Sequence, residues 1–168
     1  MFVHLHVHSH YSLLDGICRV EDLVASVKAN RTRALAITDH GNIFGAIEFY
    51  NAARAEGVKP IVGCEIYLAP GSRFVKEKVG KADVYYHLVL LAKDLVGYQN
   101  LMRIISLAYT EGFYYKPRAD KEILSRYSEG LVCLTACLKS EINRLVLMGE
   151  PEEAVRSIGE LGLSLIHI

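Results

Sequence analysis

No charge of either sign predominates in this 168-residue chain: lysine and arginine together number 19, and so do aspartate and glutamate. Without a bulk basic field, any contact with nucleic acid has to be local. Long apolar runs are missing too. The longest, such as Leu88 to Ala92, are far too short for a bilayer, and the opening MFVHLHVHSHYS lacks a basic stretch followed by an apolar one. The chain is therefore expected to be soluble and cytoplasmic, with no membrane partner. Its four cysteines, Cys18, Cys64, Cys133 and Cys137, are unevenly spaced in mostly apolar contexts. That is unlike a secreted disulfide framework and reads as reduced thiols, with at least one available as a ligand. Internal repeats are absent, and the length suits one domain.

What is present is an alternation of short β-branched runs with helical patterns, as in βα units around a largely parallel sheet or barrel. The fold class is α/β. Strands are predicted at Phe2 to His8, Ala34 to Thr38, Pro60 to Leu68, Tyr86 to Ala92 and Leu131 to Thr135. Helices are predicted at Val20 to Ala29, along a face marked by Ile43, Ile47, Tyr50 and Arg54, at Leu95 to Tyr109 and at Ser140 to Leu147. The charge-rich stretch GSRFVKEKVGKAD, Gly71 to Asp83, has no apolar period and is expected to be an exposed, mobile excursion.

Chemistry-bearing residues recur at these strands. Side chains alternate along a strand, so the first one places His6 and His8 on one side with nitrogens able to share a metal. ALAITDHG ends an apolar strand in His40, and functional groups of βα folds gather at carboxyl ends of strands. Glu65 is a carboxylate inside the apolar PIVGCEIYL, costly to bury unless paired or bound to a cation. His87 in YYHLVLLA repeats the placement, and Cys137 follows LVCLTA as a soft ligand, whereas Cys133, in mid-strand, reads as packing. Asp15 follows the first strand in SLLDG. A lone histidine is usually structural, but six such coincidences point to a multinuclear metal site. Mixed nitrogen, oxygen and sulfur donors suit Zn, Mn or Fe better than Ca and do not choose among them.

Through LHVHS, ITDH, GCE, YHLVLLA and LTAC, in that order, the chain resembles the PHP (polymerase and histidinol phosphatase) family. More narrowly, HVHSHYSLLDG, GYQNLMRIISLAYTEGFYYKPRAD and GLVCLTACLKSEI resemble the PHP domains of bacterial DNA polymerase III alpha subunits, over residues 1 to about 162. The resemblance implies a distorted (β/α)7 TIM-like barrel, incomplete at its carboxyl-terminal end, that holds up to three divalent ions. Matched position by position, His6, His8, Asp15, His40, Glu65, His87 and Cys137 are the implied metal ligands. The family's closing Asp-x-His pair has no counterpart here, and His4 and His10 match no ligand. Ala136 stands where Gly is common, a mild change for a backbone in ordinary φ/ψ space.

The implied function is metal-assisted phosphodiester hydrolysis at a mispaired 3′ end, with no side-chain nucleophile. It would sit inside a replicative DNA polymerase whose Mg-dependent polymerase site lies outside this chain. The implied partners are DNA, deoxynucleotides, a sliding clamp, a clamp loader and a proofreading subunit. Two alternatives are a non-catalytic scaffold for the proofreading subunit and a free-standing PHP phosphatase, against which GFYYKPR argues. Lys116 and Arg118 in YYKPRAD are candidates for a phosphate-contacting or interdomain patch, against a reading in which Phe113, Tyr114 and Tyr115 pack a loop on the barrel. The final LSLIHI, Leu163 to Ile168, reads as a non-native tail after a partial domain at residues 1–162, since a transposon end used in library preparation encodes those six residues. His167 is accordingly left out of the site, and a fragment of this kind is expected to have an open barrel edge and poor solubility.

Overall fold

The computed structural model describes residues 2–77, 84–164 and 166–167. In chain order its elements are α1 Val20–Ala29, β1 Ala34–Ile37, α2 Ala46–Ala55, β2 Lys59–Leu68, β3 Tyr86–Ala92, α3 Leu95–Thr110, β4 Arg118–Ala119, α4 Lys121–Arg126, β5 Leu131–Leu134, α5 Glu141–Leu147, α6 Pro151–Ser164 and β6 Ile166–His167. The strands form one sheet in the order β1-β2-β3-β5-β6, with β4 also paired to β2, and this α/β sheet does not close into a barrel.

Helix starts follow local chemistry. Asp94, Asp120 and Ser140 cap α3, α4 and α5 by accepting from the N–H of Gly97, Ile123 and Asn143. Strand alternation then sorts the core. Cys64, Ile66, Leu68, Leu88, Leu90 and Cys133 face the helices and pack against Leu101 and Ile104 of α3, while Ala36, Val89 and Leu91 line the inner side of the sheet. Each large side chain so buried contributes about 1.5–3 kcal/mol. The sheet's inner face is thereby left for the groups described below.

Several expectations need correction. Phe2 to His8 forms no strand and bends at His6: the carbonyls of His4 and Val7 accept from Ala36 and Thr38 N–H at 2.9 and 2.8 Å, but the Val7 N–H goes to the Thr38 hydroxyl at 3.0 Å. That side chain takes the place of a ladder partner. The buried face of α2 is Ala46, Phe49 and Ala53, whereas Ile47, Tyr50 and Arg54 point outward. Small residues let the helix approach β2 and α1, which size-blind apolar spacing does not register.

The sheet is also less parallel than expected, because β3 runs antiparallel to both β2 and β5. No helix separates β2 from β3 among the described residues, so the chain returns instead of crossing over. Within Gly71 to Asp83, residues 78–83 lie outside the described residues. The preceding Arg73 is buried, against the expectation of an exposed excursion, because three acidic side chains converge on it. Helix α6 continues through Ser164, two residues into LSLIHI, and β6 pairs with β5 in parallel, Val132 opposite Ile166.

Ala136 is not in ordinary φ/ψ space: its φ is 60°, in the left-handed region. An L side chain there costs about 1–2 kcal/mol, part of which glycine returns through its greater freedom in the unfolded chain. Ala136→Gly is therefore expected to raise stability by about 0.5–1 kcal/mol in urea unfolding. A lower midpoint in the glycine variant would show that the bend is not strained.

Candidate metal centre

Glu65 sits on the inner face of β2 and is 1% exposed. A lone carboxylate there would be strongly destabilising. Imidazoles surround it instead: His6 Nε2 and His8 Nε2 lie 2.8 and 2.9 Å from Oε2, and His87 Nδ1 lies 2.6 Å from Oε1. His40 Nδ1 comes within 3.4 Å of Oε2 without the alignment of a hydrogen bond, so this buried nitrogen has no hydrogen-bond partner among the described residues. Cys137 Sγ lies 3.7 Å from Oε1 and 3.6 Å from His87 Nδ1. Asp15, more exposed, places Oδ2 3.1 Å from His40 Nε2.

The fold explains each approach. Gly41, with φ 64°, turns the chain out of β1 where a Cβ would meet the Tyr67 ring at 2.8 Å, and its N–H donates to the Glu65 carbonyl at 2.9 Å. His40 is thereby bridged to Glu65. His87 does not come from a carboxyl end, as the sequence suggested; it opens β3, and the reversed direction of that strand brings it opposite Tyr67 at the same mouth. Cys137 arrives through the left-handed bend at Ala136, held by a bond from the His87 N–H to the Lys139 carbonyl.

Electrostatics follow the geometry. Burial alone would raise the Glu65 pKa, but hydrogen bonds from His6, His8 and His87 outweigh it and hold the carboxyl well below the usual range. Burial would lower that of His8, yet its bond to Glu65 raises it. His40 is lowered, by burial first, with Glu65 opposing. Burial pushes the Cys137 thiol up, and that of Cys133, packed under the helices, up to about 12.

A supporting layer was not anticipated. Asp39, buried beside His40, accepts from Ser9 N–H at 2.6 Å, from the Ser9 hydroxyl at 2.8 Å and from the Ser12 hydroxyl at 3.0 Å. Having given its only proton to Asp39, Ser12 Oγ can only accept from its other neighbours, the His40 N–H and His8 Nδ1, each 3.1 Å away. His8 must then carry hydrogen on Nδ1, which directs its Nε2 lone pair into the cluster whenever the ring is neutral. The serines in HSHYS and the aspartate of TDH were visible in the sequence. Their meeting was not.

The remaining site expectations divide. His4 is exposed against Phe2 and His10 lies on Tyr11, apart from the cluster. Arg118 is 2% exposed, and its guanidinium donates to the carbonyls of Gly112, Val84, Arg73 and Val75, so it cannot meet a phosphate or another domain. Only Lys116 of that pair faces the mouth, 5.5 Å above the Tyr67 ring. Three overlapping triplets, His6 with His8 and Glu65, His8 with Asp15 and His40, and His40 with Glu65 and His87, each hold donor atoms within 4.8 Å of one another. Imidazole, carboxylate and a nearby thiol, with one buried nitrogen lacking a partner, form a donor set that fits divalent transition ions.

An unclosed α/β barrel with this constellation at its mouth defines a PHP domain: residues 4–165 match that family, and the chain belongs to it. The sequence is 52% identical over 153 residues to the DNA polymerase III subunit alpha of Treponema pallidum and 49% identical over 157 residues to that of Borreliella burgdorferi. These alignments cover 91% and 94% of this chain but only 13% and 14% of those proteins, so the chain spans a small part of their length. Among solved structures, a protein assigned as a metal-dependent phosphoesterase from Bifidobacterium adolescentis superposes with a TM-score of 0.54 at 13% identity, over 98% of this chain and 85% of that one. At that identity the likeness concerns the fold. No helix among the described residues is long and apolar enough to cross a membrane.

Proposed function

We propose that this chain is the metal-binding PHP segment of a bacterial DNA polymerase III alpha subunit and hydrolyses phosphodiester bonds at an unpaired 3′ end. The observation that carries the hydrolytic reading is Glu65, buried among His6, His8, His40 and His87 with Cys137 alongside. The polymerase reading is supported by about half identity to alpha subunits over most of the chain. Those relatives also weigh against a free-standing phosphatase. In this reading DNA synthesis, Mg, deoxynucleotides, the sliding clamp and the clamp loader belong to the rest of the polypeptide. The same reading takes LSLIHI as a non-native tail, which a genomic read keeping it in frame would refute.

Divalent ions such as Zn, Mn or Fe would supply an activated water and charge neutralisation at phosphorus. The chain's own residues prepare for that. Glu65 turns Oε2 toward His6 and His8 and Oε1 toward His87, so one carboxylate serves two groups of ligands. Ser12 and Asp39 hold His8 in the tautomer that offers Nε2. Asp15 reaches His40 from the open side.

The test uses the full-length polypeptide. His8→Ala and His40→Ala are each expected to lower metal content and melting temperature together, since an ion that binds only the folded state at about 100 times its Kd adds about 2.7 kcal/mol. Ser12→Ala, which removes no ligand, is expected to weaken metal affinity about 10–100-fold. Lys116→Ala leaves metal content unchanged. Unaltered stoichiometry in both histidine variants would sink the assignment, and a wild type that takes up no metal would favour the scaffold reading.

A further inference from the structure

Above the cluster lies a hollow of about 480 Å³ with Asp15, His40 and His87 in its lining, within the size range that takes one small molecule or one residue of a polymer. Exposed aromatic side chains crowd its wall: Phe44, Tyr109, Phe113 and Tyr115. Phe113 and Tyr115 are 52% and 73% exposed, so they do not pack the loop onto the barrel as one reading of the sequence had it. Tyr115 also has φ 59°, a left-handed conformation that strains a bulky residue. Burial of the ring does not offset that strain. Strained, exposed residues of this kind concentrate where a ligand is received.

Lys116 and Lys139 line the same hollow, and neither is ion-paired among the described residues. Aromatic faces alone would also suit a protein surface. Beside cations that lack a carboxylate partner among the described residues, and over a centre suited to phosphate chemistry, they fit a flat ligand joined to a phosphate. We propose that this wall is a stacking platform for the terminal unpaired nucleotide of a single-stranded nucleic acid, with the base on Tyr115 and Phe113 and the backbone phosphate facing Lys116 and Lys139. The inference rests on the phosphodiesterase reading above and assigns its substrate contacts. A small phosphomonoester would need no such wall, and a blunt duplex end would not enter a hollow of this size.

The experiment is fluorescence anisotropy of a short labelled oligothymidylate with the full-length polypeptide, in chelator so that nothing is cleaved. Excess blunt hairpin duplex fills the duplex-binding surfaces. Stacking contributes about 1–3 kcal/mol per base, so Tyr115→Ala is expected to weaken binding about 5–150-fold. Tyr115→Phe keeps the ring and is expected to bind like wild type, while Lys116→Ala reduces both affinity and its salt dependence. Wild-type affinity in Tyr115→Ala would overturn the proposal. So would a lower melting temperature in that variant with oligonucleotide affinity unchanged, the result expected if another part of the polypeptide covers the wall. Tyr115-dependent binding by a wild type that hydrolyses no phosphodiester with Zn, Mn or Fe would uphold the platform and overturn the hydrolytic reading.

Discussion

Glu65→Gln is expected to abolish tight metal binding by the full-length polypeptide and to remove the rise in melting temperature that added metal gives the wild type. The amide keeps the shape but loses the charge, and its NH2 points a donor where an ion needs an acceptor. The affinity loss is expected to exceed the roughly 10–100-fold typical of losing a supporting partner. Metal analysis after dialysis and melting curves with and without metal are the readouts. Full metal content in the glutamine variant would make Glu65 a counter-ion for the imidazoles and nothing more.

The chelated protein provides a second arm, through pH. Glu65 is held below its ordinary value of 4.5, so its contribution is present above that value and lost as pH falls toward its folded pKa. His8 is raised above 6.5, so its contribution is complete below 6.5 and lost as pH rises through its folded pKa. The stability gap between chelated wild type and E65Q is therefore expected to be widest between pH 4.5 and 6.5, at about 1.5–3 kcal/mol for each charged hydrogen bond lost. A gap independent of pH would contradict this account.

Arg73→Ala is expected to destabilise the domain by about 3–5 kcal/mol, the range for breaking a buried ion pair by removing one partner. Asp120 is 3% exposed and accepts from the Arg73 side chain at 3.0 Å as well as from the Arg73 and Ile123 main-chain N–H groups. The same guanidinium bonds Glu111 at 2.7 Å and Glu122 at 2.9 Å. Burial opposes its charge, but these carboxylates outweigh burial and hold it protonated. Arg73→Lys keeps the charge without the planar fork and is expected to recover only part of the loss. Urea unfolding of the two variants is the check. A change below about 1 kcal/mol in the alanine variant would class Arg73 with ordinary surface ion pairs.

Legibility in the sequence tracked the range of the interactions involved. Helix α1 and strand β3 lie where periodicity placed them, and α5 begins one residue after its predicted start at Ser140, which serves as its cap, because caps and strand patterns are local. His6, His8, His40, Glu65, His87 and Cys137 were legible as a set because their side chains are out of place in apolar or strand-end contexts. Arg73 and Arg118 were misread, since a charged residue in a polar stretch carries no mark of whether distant carbonyls or carboxylates will enclose it. Ala136 was misread for a related reason. Its left-handed bend leads into a turn whose Lys139 carbonyl accepts from the His87 N–H, a long-range contact that LTAC by itself does not show.

From the sequence alone came the α/β class, the family and the residue types of the centre, because short-range patterning and unusual polar residues are carried by single segments. The folded chain settled the direction of β3, which turns His87 into the mouth from the wrong end of its strand. It also settled the proton count at Ser12, which orients His8, and the burial of Arg118, which leaves Lys116 as the one member of that pair at the rim. Each of these draws on groups 22 or more residues apart meeting at hydrogen-bond distance, among them Glu65 with His87, Ser12 with Asp39 and Arg118 with Val75. No local pattern encodes such a meeting; it exists only once strands have paired and packing has fixed which atoms face one another.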